Sequence, residues 1–302
     1  MNLQQLKTLV AIFENNSFSA AADKVSLSHS AISLQMRTLE EELGQELFDR
    51  STRPATLTPT GRATALAAQK ALKMIDSVRL IGAGQQASNK ISFGVVPTEA
   101  LHLLPMLLRA FQQRQPKAHI QVRSDLSGNL ALQVLNMDLD FAVLTAPITA
   151  LPELTVQELV VEPLFVIAPR HIRARTDEEL LNSHPFIAFE AMTWMGHQVS
   201  ARLQSRDIRV NEIMEVDNLD VIETMVMEGF GVSIVPQRFL APPLSEKLTV
   251  IPFGRPQEIR RLVLVHRAGE ETDLPIANIR QFIRSRGPDP GQWAGTHTSN
   301  GH

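Results

Sequence analysis

His29, Ser30, Ser33, Leu34 and Arg37 recur at the spacing that puts side chains on one face of a helix, with Ser28 a candidate N-cap before them. Short hydroxyls and an imidazole suit hydrogen bonds to base edges, and a guanidinium suits a phosphate. Arg50, Arg53 and Arg62 flank a turn that carries Pro54. A guanidinium at such a tip reaches a minor groove or a phosphate. An ordinary solvated helix face and an ordinary turn look the same from spacing alone, so both readings stand at this point. The run Glu40-Glu41-Glu42 opposes DNA unless it faces away from the phosphates.

A second set of residues sits where strands end and helices begin. In open α/β sheets, ligands collect outside the carboxyl ends of strands, where helix N-termini present their amides. Thr98 and Glu99 follow the apolar run 91–96, and Thr145 and Ala146 follow the run 141–144. Glu190, with Trp194 shortly after, follows the run 186–189, and Asn218 follows a strand that ends near residue 217. Helix N-termini favour anions, which makes a polar metabolite or small organic acid the default ligand. Glu99 would repel an anion if it faced the ligand; either it points to solvent, or the ligand carries an amine or many hydroxyls. Trp194 suits stacking on a ring and equally suits plain packing.

Other chemistry finds little support. The chain has no cysteine and no tyrosine, so thiol nucleophiles, thiol redox sensing, cysteine metal sites and phenolic acid–base groups are excluded. The nine histidines are scattered, with no pair at i, i+4 and no H-E-x-x-H, so no metal site is expected. No G-x-S-x-G elbow occurs. Gly82-Ala83-Gly84-Gln85-Gln86-Ala87 matches a dinucleotide fingerprint, but a long helix precedes it and a strand follows, the wrong context for a phosphate cradle. The motif reads as a hinge, and no cofactor is expected. No apolar run approaches the roughly 18 residues of a membrane helix. The first thirteen residues lack a basic start before a long apolar core, and a cytoplasmic location is expected.

The elements that must carry these residues divide the chain in two. At 44% hydrophobic and 20% charged residues the composition is ordinary for a folded protein. The net charge of −3 is uneven, with +1 over residues 1–88 and −4 over the rest. Helical periodicity runs through 3–14, then a short helix to Val25, a turn at 26–28 and a third helix stopped by Gly44. Two short β-like pieces around 47–48 and 55–58 follow. A long helix from Thr60 to about Ile81 carries the apolar seam Ala65, Ala68, Leu72, Ile75 and Val78, which predicts a partner helix. Beyond it, strands are expected at 91–96, 120–123, 141–144, 164–168, 186–189, 232–235 and 262–265. Helices are expected at 98–114, 128–136, 220–227 and 274–286, and a disordered tail from 287.

The run Ser17-Phe18-Ser19-Ala20-Ala21-Ala22, then Leu27 through Arg37, Leu39-Glu40, Leu43-Gly44, Leu47-Phe48-Asp49-Arg50 and Leu57-Thr58-Pro59-Thr60-Gly61, resembles the N-terminal signature of LysR-type transcriptional regulators over about sixty residues. The resemblance implies a winged helix-turn-helix at 1–59 and a dimerisation helix with its hinge at 60–88. A two-lobed α/β effector domain resembling periplasmic binding proteins would occupy 89–286. Lobe I would hold about 89–162 and 267–286, and lobe II about 163–266. It implies base contacts from Ser28, His29, Ser30 and Ser33, backbone contacts from Arg37 and wing contacts from Arg53. It further implies that the four strand ends meet between the lobes around a small-molecule effector. Dimers would pair into a tetramer on promoter DNA, and an activator would recruit RNA polymerase. His29 and Ser30 stand where the family commonly has Gln and often has Pro, which predicts an operator unlike the usual half-site. The rivals are a solute-binding protein and an enzyme built on the α/β part.

Overall fold

The computed structural model of the chain describes residues 1–52, 54–82, 90–239, 241–244 and 246–269. They fall into two units, Met1–Asn89 and Lys90–His302. Arg53, most of the expected hinge, the helix expected at 274–286 and the tail from 287 lie outside the described residues.

Each of the first three helices starts on a side chain that closes its own N-terminus. Asn2 and Gln5 form a reciprocal capping box at α1 (Leu3–Asn15). Ser17 caps α2 (Phe18–Val25) through the amide of Ala20, and Ser28 caps α3 (His29–Leu43) through that of Ala31. Asn16, Ser26 and Gly44 turn the chain out of each helix in the left-handed region, at φ 46°, 56° and 64°. A two-residue wing follows, β1 (Phe48–Asp49) antiparallel to β2 (Thr56–Leu57), then α4 (Pro59–Gly82). The wing is pinned to α4 by Thr58, whose hydroxyl donates to the Glu46 carbonyl and accepts from the Gly61 amide. A Cβ on Gly61 would lie 2.0 Å from the Leu47 carbonyl oxygen, so only glycine fits there.

The seam of α4 is divided. Ala65 and Ala68 are buried in this unit's own core with Leu9, Ile32, Met36, Leu39, Leu47 and Phe48. Met74 and Val78, further along, are 52% and 63% exposed. Only the distal half of the helix is left without a cover inside the unit.

The second unit runs β3 (Lys90–Val95), α5 (Pro97–Arg114), β4 (His119–Ser124), α6 (Ser127–Leu135), β5 (Phe141–Thr145), β6 (Leu154–Pro169), α7 (Asp177–Ser183), β7 (Pro185–Phe189), α8 (Trp194–Ser205), β8 (Asn211–Val216), α9 (Leu219–Met227), β9 (Ser233–Pro236), β10 (Leu248–Pro252) and β11 (Ile259–Arg267). Two lobes share β6. Its first part pairs with β11, which pairs with β5, and the parallel strands β3 and β4 complete lobe I. Its last residues pair with β9 and β10, and parallel β7 and β8 extend lobe II through a bridge from Phe186 to Val232. At the centre of lobe I Phe93 and Phe141 stack, and Phe111 packs against both at a tilt.

The expected partition places β11 in lobe II, but its pairing with β5 places it in lobe I. The strand expected at 164–168 is the second half of a 16-residue strand. Its first part, paired on one side only, mixes buried Leu154, Leu159 and Glu162 with exposed Val156, Glu158 and Val161, a weaker apolar signal.

Candidate functional site

The first site is one face of α3. Ser28, His29, Ser30, Ser33, Leu34 and Arg37 are all exposed, Leu34 at 66%. Ile32, Met36 and Leu39 point the other way, into the core. The three-residue turn between α2 and α3 leaves this face free. His29 lies 6.0 Å from the Phe18 ring, which in turn lies 5.0 Å from Phe48 in the wing. The face and the wing line one open groove of about 650 Å³ with Arg50, Pro54 and Ala55. Arg37 has no ion pair or hydrogen bond among the described residues. Arg50 does: its guanidinium is 2.5 Å from Glu40, whose other oxygen accepts the amides of Leu47 and Phe48. Glu40 therefore ties the wing to α3, while the Arg50 side chain stays 48% exposed.

The second site is a cavity of about 170 Å³ between the lobes of the second unit. Lobe I contributes Thr98 at the start of α5, Ser127 at the start of α6, Thr145 at the end of β5, and Arg260 from β11. Lobe II contributes Glu190, Thr193, Asp217 and Asn218. Each comes from a strand end or a first helical turn except Arg260. The Thr193 and Asn218 side chains cap α8 and α9.

Arg260 is 1% exposed, on the inward register of a strand whose Leu262 and Leu264 are buried beside it. It is satisfied on every side. Its guanidinium pairs with Glu99 and Glu162, donates to Thr98 Oγ1 at 3.1 Å, and touches Met195 from lobe II. The second oxygen of Glu162 accepts the Phe239 amide at 2.7 Å. Burial pushes the Glu99 carboxyl up to about 7, and the neighbouring Glu162 adds to the rise, against the pull of Arg260. For Arg260 burial acts against the charge, but Glu162 and Glu99 outweigh it and its pKa is raised.

Of the seven residues expected at the strand ends, Thr98, Thr145, Glu190 and Asn218 line the cavity and three do not. Glu99 faces neither solvent nor ligand; it lies behind the wall, 1% exposed, paired with Arg260. Ala146 is held by the Arg261 carbonyl and packs on the lobe I core. Trp194, although it begins a lobe II helix, packs on the lobe I core; a Cβ on Gly128 would lie 3.7 Å from its Nε1. Four polar wall residues were missed, among them Thr193, the cap of α8. Ser127 follows the end of β4, where the same strand-end rule would have found it. Asp217 sits one residue before Asn218. Arg260 had a different signal, a charge in the inward register of an apolar strand.

Among the described residues no cluster of His, Asp and Glu is placed to hold a metal, and no helix is long and apolar enough to cross a membrane.

Two family models match the chain. Residues 3–62 match the bacterial regulatory helix-turn-helix protein, lysR family, and residues 84–288 match the LysR substrate binding domain. The HTH-type transcriptional regulator YfeR of Shigella flexneri is 26% identical over 292 residues, 95% of this chain and 94% of the relative. A probable nitrogen assimilation transcriptional activator of Synechococcus elongatus is 29% identical, covering 94% of each chain. Among solved structures, a full-length OxyR variant from Pseudomonas aeruginosa shares the fold with a TM-score of 0.64, at 24% identity over 94% of this chain and 95% of that one. Full-length CbnR complexed with its target DNA gives 0.58, at 20% identity over 95% and 99%.

Proposed function

Because the chain belongs to the LysR family of DNA-binding transcriptional regulators with an effector-binding domain, we propose that it binds promoter DNA as a dimer of dimers and changes transcription when a small molecule enters the cavity between its lobes. The observation that carries the DNA half is the exposed face of α3, with Arg37 unpaired. Residues 1–59 read DNA, 60–88 join two copies through the distal half of α4, and 89–286 sense the effector. Ser28, His29, Ser30, Ser33 and Leu34 meet bases, while Arg37, Arg50 and Arg53 meet the backbone. The structure of CbnR complexed with its target DNA, similar in fold, supports this reading. Thr98, Thr145, Glu190 and Asn218 hold the effector. The protein works in the cytoplasm on the nucleoid, contacts RNA polymerase if it activates, and turns over no substrate.

Effector binding shifts the closure of the lobes, and the shift changes the angle between DNA-binding heads. Footprinting on the DNA upstream of its own gene tests the DNA half. Salt-dependent protection is the expected outcome. Protection unchanged by Arg37→Ala together with Ser33→Ala would show that another surface reads the DNA.

A further inference from the structure

We infer that the molecule bound between the lobes is a small zwitterion, a short-chain amino acid with a free carboxylate and a free ammonium; this rests on the effector role proposed for the cavity. The two lobes present opposite chemistry to the same space. Lobe I presents donors. The α5 and α6 helices both open on the cavity with no side-chain cap, Val96 and Leu126 standing at their N-cap positions. In α5 Pro97 has no N–H and the Glu99 amide is taken by the Val96 carbonyl, which leaves the amide of Thr98, while α6 offers its first amides; both dipoles favour an anion.

A second observation points to a ligand there. Ser127 and Thr145 are 5% and 6% exposed, line the cavity, and among the described residues neither hydroxyl has a hydrogen-bond partner. Among the described residues no fully buried side-chain oxygen lacks a partner, so both of these oxygens reach into the cavity and can bond what occupies it. Thr98 accepts from Arg260, which leaves its own hydrogen to donate. The carboxylates on this side do not fill the space. Glu99 and Glu162 are held by Arg260, and Asp125, before α6, is turned to Leu126, Asn129 and Gln133.

Lobe II presents acceptors. Glu190, half-buried, and Asp217, exposed at the mouth, line the opposite wall, and no hydrogen bond or ion pair holds either carboxylate among the described residues. A plain carboxylate suits the first wall and is repelled by the second; a plain amine meets the reverse. Carboxylate and ammonium on one short molecule suit both. At about 170 Å³ the cavity is smaller than the roughly 300–1,000 Å³ of clefts that take drug-sized ligands, which favours a small molecule.

Calorimetric titration of the full-length protein tests this, using the protein L-amino acids, β-alanine and 4-aminobutyrate, each beside its deaminated acid and decarboxylated amine, with glycerol as a neutral polyol. At least one amino acid binds, and its matched acid and amine bind about tenfold or more weaker. Ser127→Ala weakens the amino acid and the acid, while Glu190→Gln weakens the amino acid and the amine but leaves the acid unchanged. This sorting by charge is not produced by loss of folding, and Thr145→Val supplies a second donor-wall variant. If an acid or the polyol binds as well as any amino acid and Ser127→Ala removes it, the cavity is the effector site but the zwitterion assignment is wrong. If no probe binds, or binding ignores both variants, the assignment and the effector role of the cavity fall together.

Discussion

The face of α3 and the wall of the interlobe cavity are both polar, yet they treat charge in opposite ways. On α3, Arg37 stands unpaired and Ser30, Ser33 and Leu34 are exposed. In the cavity, the one guanidinium is buried and fully engaged by Glu99, Glu162 and Thr98. A surface that meets a long polyanion gains by leaving its cation in water, where salt and counterions set the affinity. A cavity that closes on one small molecule cannot leave a buried charge uncompensated, because desolvation costs several kcal/mol per ion. The same side-chain type is therefore a contact in one region and a fixed part of the wall in the other.

Removing each arginine should separate these roles most sharply. Arg260→Ala strands two carboxylates in the interior and is expected to destabilise the second unit by about 3–5 kcal/mol. Arg37→Ala is expected to shift stability by no more than about 0.5 kcal/mol. Urea denaturation measures both, and an Arg260→Ala protein as stable as the parent would break the contrast. Gly61→Ala comes next: its Cβ meets the Leu47 carbonyl, with an expected loss of about 1–3 kcal/mol confined to the first unit. Separate thermal transitions for the two units read that confinement.

For DNA, Arg37→Ala should lower affinity about fivefold at roughly 0.15 M salt and reduce the salt slope by about 1. An unchanged slope would mean that Arg37 touches no phosphate. The smallest effect is in pH. The folded protein holds the Glu99 proton more tightly than the unfolded chain does. The stabilisation is complete below pH 4.5 and lost as pH rises to about 7. Asp220, held low by the Arg238 hydrogen bond, acts in the opposite sense and loses its contribution as pH falls below 3.8. The difference in melting temperature between the parent and Glu99→Gln should therefore change across pH 4.5 to 7. A constant difference would place the Glu99 proton elsewhere.

The head was legible because its signals are local. Ser17, Ser28 and Gly44 cap or stop helices within three or four residues of themselves, and the α3 face follows from helical periodicity alone. The strand ends were half legible. Thr98, Thr145, Glu190 and Asn218 sit where the strand-end rule puts them. The fate of Glu99 depends on Arg260, 161 residues away, and no local pattern encodes that pairing. Trp194 belongs by sequence to one lobe and packs on the core of the other, for the same reason. The seven-residue helix α7 is too short to show a period, and α8 interleaves His197, Gln198 and Ser200 among its apolar positions.

The strand β6 has one more consequence. Its pairing changes hands between Pro163, opposite Ile259, and Leu164, opposite Pro236. Hydrogen-bonded ladders clamp the strand on both sides of that step, and proline's ring locks its own φ near −65°. Few torsions are left there to turn. The join has the form of a hinge pin rather than a tether, and it would confine the lobe closure proposed above to a narrow set of axes. On the proposed function, closure about such a join would follow nearly the same arc for any occupant of the cavity, and the signal would lie in how far the lobes turn.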